Sequence, residues 1–161
     1  IRWDWAFGKI MDHFMIGDNK MLKLGGMTGA IDILQQNNLA KVHGIQPVHR
    51  IDEMRLLKSR FPENIELWVA RNSEGSMIAG ILLYITKNVI HSQYISATDE
   101  GKANGAIDAI IQELLKKDSP YFDFGISTEQ NGNYLNSTLI FQKEGFGGRG
   151  ICYDIYEYTL S

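Results

Sequence analysis

Residues Ser76 to Lys117 constrain this chain more than any other stretch, because they dictate three elements in a fixed order. MIAGILLYIT (Met77 to Thr86) and VIHSQYISA (Val89 to Ala97) are two β-rich runs separated only by Lys87-Asn88. A two-residue connection containing Asn, which tolerates a left-handed backbone, predicts a tight hairpin. The loop TDEGKANG follows and opens into AIDAIIQELLKK. There, Ile107, Ile110, Ile111, Leu114 and Leu115 recur at helical spacing, which predicts a helix with one buried face from about Asn104 to Lys117. A loop feeding a helix N-terminus presents unpaired N–H groups and the positive end of the helix dipole. It therefore suits an anion such as a phosphate, and it serves equally as a plain strand-to-helix connection.

The rest of the chain extends this unit on both sides. Thr28 reads as the cap of a helix over 29–40, and Pro47 disfavours helix at Gln46. A second helix spans Ile51 to Arg60 with Met54, Leu57 and Phe61 turned inward, and Pro62 stops it. IELWVARN, Ile65 to Asn72, is a strand that makes an antiparallel meander with the hairpin. Downstream, PYFDFGIS (Pro120 to Ser127) reads as a strand and EQNGN as a loop. STLIFQKEGF (Ser137 to Phe146) reads as a short helix capped by Asn136 or Ser137, and GFGGRG as a break. ICYDIYEYTL, Ile151 to Leu160, reads as a final aromatic-rich strand. Strand 89–97, the helix and strand 120–127 form one right-handed crossover, so those two strands should be parallel. The expected class is α+β: one domain over 1–161 with a mixed, mainly antiparallel sheet flanked by helices. Residues 1–29 have a mixed period and read as a strand followed by a short helix, with Trp3 and Trp5 flanking Asp4.

Composition narrows the function classes. A net charge of −3 without a basic run argues against a broad nucleic-acid surface, though not against a local phosphate site. Cys152 is the only cysteine, so no internal disulfide or cysteine-based zinc site can form, and a reducing compartment such as the cytoplasm fits. His13, His43 and His49 lack a partner at metal-ligand spacing, and no metal is expected. No apolar run is long enough to span a bilayer. The chain begins with Ile1 rather than Met, which fits a fragment of a larger two-domain protein.

FDFGIS, then NG, then IFQKEGFGGRG, together with the element order, resemble the GNAT N-acyltransferase superfamily. Within it they are most similar to the C-terminal half of Fem-type and related tandem-GNAT bacterial acyltransferases. The resemblance covers roughly Ile31 to Tyr158. It implies acyl transfer from a thioester, acetyl-CoA or another acyl-CoA, to a primary amine on a small molecule or cell-wall precursor. In the Fem branch the implied donor is aminoacyl-tRNA, and a carrier protein stays open as a third source. It also implies a partner: a second GNAT-like domain or a homodimer. In that case this chain could be a non-catalytic half that binds substrate or supports a missing catalytic half.

The family's pyrophosphate loop reads R/Q-x-x-G-x-G/A. In the KANGAI register Lys102 takes the basic position, Asn104 lies within the loop and Gly105 takes the fourth position, while Ile107 replaces the last small residue. The GKANGA register keeps only Ala106 at the end. The resemblance further implies that Ile95 and Ser96 offer backbone groups to a pantetheine arm, and that Tyr134 protonates a leaving thiolate.

Amine acylation needs a base for the ammonium, donors for the tetrahedral oxyanion and an acid for the thiolate. His91 could be that base near neutral pH, or a hydrogen-bonded sheet histidine. Asp123 lies inside FDF, where a buried charge needs a partner; His91, Lys143 and Arg149 are candidates. It could orient a base or simply anchor the strand. Glu129, in STEQNG, is a second carboxylate for base or amine recognition, or a solvated loop residue. Lys143, Arg149 and the glycines beside them could grip an anionic group of the substrate, or only turn the chain.

Overall fold

The computed structural model describes residues 51–158. The expected helix over 29–40 and the reading of residues 1–29 lie outside them. The chain divides into two units between Asp123 and Phe124.

The first unit holds α1 (Ile51–Arg60), β1 (Ile65–Arg71), β2 (Met77–Ile85), β3 (Val89–Ala97), α2 (Asp99–Ala103), α3 (Ala106–Leu115) and β4 (Tyr121–Asp123). The sheet order is β1-β2-β3-β4, antiparallel except for the parallel β3–β4 pair. This is the expected mixed, mainly antiparallel sheet flanked by helices. Cross-strand registry sorts the side chains into two faces, because successive residues of a strand point to opposite sides. Ile65, Leu67 and Val69 of β1 and Leu82 of β2 pack with Met54 of α1, and Leu57, Met77, Tyr84 and Tyr94 border them. Phe61, expected inward as well, lies past the end of α1 and is exposed. The other face carries α3, which lies across β1, β2 and β3 and buries Ile110, Ile111 and Leu114. Its far end is tied down where Glu66 accepts hydrogen bonds from Trp68 Nε1 (2.8 Å) and Lys117 Nζ (2.9 Å).

Two local readings change. The hairpin does turn at Lys87-Asn88, yet Asn88 is not among the residues with positive φ. Thr86 makes the turn instead: its Oγ1 accepts from Asn88 N (3.4 Å) and Val89 N (3.0 Å). The loop after β3 is not open coil, because Thr98 caps α2 by accepting from Gly101 N, and Asp99 and Glu100 favour that first turn. The expected helix from about Asn104 to Lys117 is α3, and α2 precedes it within the run expected as a loop, the two separated by Gly105 at φ 69°.

The second unit holds β5 (Thr128–Glu129), a 3₁₀ turn (Gln130–Gly132), β6 (Tyr134–Leu135) and α4 (Ser137–Gly145). Asn136 caps α4 by accepting from Leu139 N, and Phe124 stacks on Phe146 at 5.8 Å. Gly148 sits where a Cβ would lie 2.8 Å from Lys143 O. Asn136→Ala removes the cap from a helix with no buried residue and should cost about 1 kcal/mol. A lower urea midpoint at unchanged slope would show it.

Two expected strands are cut down. The run from Pro120 to Ser127 is a strand only over Tyr121–Asp123, because its pairing with β3 stops there. Residues 151–158 form no strand, and Ile151, Tyr153, Ile155, Tyr156 and Tyr158 are exposed. Alternation and aromatic content give strand propensity, but a strand needs a ladder. The ladder in this unit is the short β5–β6 pair.

Candidate active site

β3 positions most of the chemistry in the first unit. His91 stands opposite Tyr84 on β2 and Asp123 on β4. Its Nδ1 lies 2.7 Å from Asp123 Oδ2. A carboxylate can only accept, so Nδ1 carries the proton, and in the neutral ring Nε2 is the nitrogen with the lone pair. The His91 side chain is 31% exposed, which leaves that nitrogen within reach of a solute. Asp123 is fixed from behind, because the buried Ser92 donates its hydroxyl to Asp123 O at 3.1 Å. The Tyr84 ring lies against the imidazole at 6.3 Å, and burial beside Tyr94 pushes its phenol pKa up.

Immediately past His91 the sheet opens. The β3–β4 ladder ends at His91↔Asp123, whereas β3 runs on to Ala97 without another strand on that side among the described residues. The register between β2 and β3 also slips there: Leu83 pairs with Ser92 and Leu82 with Tyr94, leaving Gln93 as the extra residue of a bulge. Thr98 N donates to Ile78 O at 2.8 Å, which sets the parity of the ladder beyond the bulge. Opposed residues in an antiparallel pair alternate between bonding each other and pointing away. Ser96↔Gly80 is thus a bonded pair, while the N–H and C=O of Ile95 and Ala97 point to the open side. Of the two backbone positions expected to face an arm, Ile95 has that orientation and Ser96 spends its groups on β2. Ala97 is the neighbour that sequence reading missed, because a bulge leaves no signature in a run such as HSQYIS.

The loop residues are placed as follows. Lys102 lies within α2, exposed, its ammonium 3.6 Å from Asp99 Oδ1. Asn104 closes α2 as its C-cap, Gly105 precedes α3 without a side-chain cap, and Ala106 is buried in the first turn of α3. Gly101 lets the loop approach the sheet: a Cβ there would lie 2.2 Å from Ile78 O. The Thr98-Asp99-Glu100 cap was a readable sign of α2; the need for a glycine at Gly101 left no sign in the sequence.

Asp108, in the first turn of α3, is half-buried, and burial raises its carboxyl pKa. An acid whose folded-state pKa lies above its unfolded value holds its proton more tightly when folded. Stability is then lost as pH rises from the unfolded value, about 3.9, through the folded one. Asp108→Asn should therefore be more stable than the wild type at neutral pH, with the advantage fading below pH about 4. Thermal melts across pH would show the convergence.

The remaining candidates lie in the second unit. Glu129 and Tyr134 are cross-strand neighbours, and Glu129 Oε1 accepts from Asn136 Nδ2 at 2.7 Å. Lys143 Nζ donates to Gly125 O (3.0 Å) and Ile126 O (2.6 Å), and Arg149 donates to Gly148 O (2.9 Å). No cluster of metal-ligating side chains occurs among the described residues, and no helix there is long and apolar enough to cross a membrane.

No family model matches the chain, and no curated protein matches its sequence. Solved structures do match in fold. A protein of Clostridium difficile 630, described as a possible acetyltransferase, aligns with a TM-score of 0.58 at 14% identity, covering 89% of this chain and 95% of its own. Glucosamine-6-phosphate N-acetyltransferase of Arabidopsis thaliana aligns with a TM-score of 0.53 at 12% identity, covering 87% and 94%. The aminoglycoside antibiotic 6'-N-acetyltransferase of Acinetobacter baumannii aligns with a TM-score of 0.50 at 13% identity, covering 89% and 95%.

Proposed function

The chain has the fold of the GNAT acetyltransferases, and from this premise we propose that it transfers an acyl group from a thioester to a primary amine. The observation that carries the reading is the coincidence of the His91–Asp123 pair with the point where β3 and β4 part. A thioester arm lying along the open edge of β3 would exchange hydrogen bonds with Ile95 and Ala97, as an added strand does. Its carbonyl would then lie near the bulge, with the Ile95 N–H as a donor for the oxyanion.

The proton balance needs one side chain. His91 Nε2 takes the first proton of the acceptor ammonium and releases it to water. The neutral amine attacks the carbonyl carbon, and the C–N bond forms. The second proton passes to Nε2 as the tetrahedral intermediate develops. When the C–S bond breaks, the imidazolium returns that proton to the thiolate. Asp123 positions the ring and stabilises its charged form. The neighbours named for aminoglycoside and glucosamine-6-phosphate acetylation make an amino sugar the first acceptor class to try.

The test is release of free thiol from acetyl-CoA with a panel of primary amines, amino sugars first. Amine-dependent thiol release with an acetylated product supports the reading. Release that ignores the amine would show hydrolysis and reject it.

A further inference from the structure

The loop between β3 and α3 has a charge pattern that bears on the donor. From Thr98 to Asp108 it carries Asp99, Glu100 and Asp108 against Lys102 alone: three carboxylates and one ammonium, a net charge of −2. The Lys102 ammonium is drawn toward the Asp99 carboxylate. Glu100 is held in place from the β1–β2 turn, because Asn72 Nδ2 lies 3.1 and 3.3 Å from its two oxygens. Asn72 is itself fixed, with its Oδ1 accepting from Glu74 N and Ser76 N. Asp108 adds a third carboxylate in the first turn of α3, where its charge opposes that of a phosphate. Space is closed as well, since Gly101 rests on the β2 backbone and Ala106 is fully buried. By contrast, the edge of β3 offers uncharged donors and acceptors at Ile95 and Ala97.

We infer that the donor is recognised through its uncharged thioester and pantetheine-type arm on the β3 edge, and that its phosphates make no favourable contact with the Thr98–Asp108 loop. This rests on the acyltransferase reading and goes past it. Removing the nucleotide and phosphates from the donor costs the complex nothing, and the loop disfavours them.

Three measurements test this on the full chain. Calorimetric titration should show coenzyme A binding about tenfold more weakly than pantetheine. A charge near a helix terminus changes affinity by about two- to fivefold. The Asp99→Asn/Glu100→Gln/Asp108→Asn variant should therefore bind coenzyme A about tenfold more tightly and pantetheine as before. Raising the ionic strength screens repulsion, so it should tighten coenzyme A binding to the wild type and leave pantetheine unchanged. Coenzyme A binding more than about tenfold tighter than pantetheine, weakened by salt and by Lys102→Ala, would overturn the inference while leaving acyl transfer standing. Binding of neither ligand, with no thiol release from acetyl-CoA or acetyl-pantetheine, would remove the acyltransferase reading and the inference with it.

Discussion

His91→Ala is expected to lower the rate of amine acetylation by about 10²–10⁴-fold, the usual contribution of one well-placed proton-transfer group. The fold should hardly register the change. The His91 and Asp123 side chains are 31% and 51% exposed, and an exposed pair of this kind is worth about 1 kcal/mol or less. A large kinetic loss beside a small shift in melting temperature separates a base from a sheet anchor. Asp123→Asn should be milder. It keeps the volume but replaces a group that can only accept with an amide that can also donate to Nδ1, so part of the imidazole turns to the wrong tautomer.

Gly101→Ala should be strongly destabilising, because α2 lies directly on the sheet there. The added carbon would lie 2.2 Å from Ile78 O and 2.9 Å from Ile78 C. Neither atom can retreat cheaply. Ile78 sits in β2, and its carbonyl already accepts from Thr98 N (2.8 Å) and Thr98 Oγ1 (3.2 Å). The same Thr98 hydroxyl also caps α2. Relief therefore requires α2 to lift from the sheet and loosens its cap. Forced overpacking costs about 1–3 kcal/mol, and a backbone obstacle points to the upper end. A loss of about 3 kcal/mol corresponds to a melting temperature lower by about 6–12 °C in a protein of this size. The change should also disturb Ala97, whose side chain lies 3.4 Å from that same position.

What the sequence revealed follows from how each feature is encoded. The meander was legible because β1, β2 and β3 are long, β-rich runs with short turns; burial alternates along β1, while the apolar run of β2 is buried on both faces. The stripe of α3 was legible for the same reason. The pairing of His91 with Asp123 was open to inference, since a charge inside FDF needs a partner and His91 was one of three candidates. The bulge at Gln93 and the parting of β3 from β4 were not legible, because they depend on how three strands register and not on any residue type. Residues 151–158 misled in the opposite sense: their alternation is real, but propensity alone does not supply a partner strand. Lys102 looked like a phosphate ligand in one dimension. The structure draws it toward Asp99, one helical turn away, a pairing that the sequence spacing already permitted.

One measurement reaches the central claim most directly: mass-resolved acetylation of an amino sugar by the wild type and His91→Ala, with free thiol counted in the same reactions. The site described here predicts acetylated product and thiol in equal amounts from the wild type, and both reduced together in the variant. Equal yields from the two proteins would show that His91 takes no part in transfer. No product from either, with every donor offered, would contradict an active site on β3 and favour a substrate-binding half that works beside a separate catalytic domain.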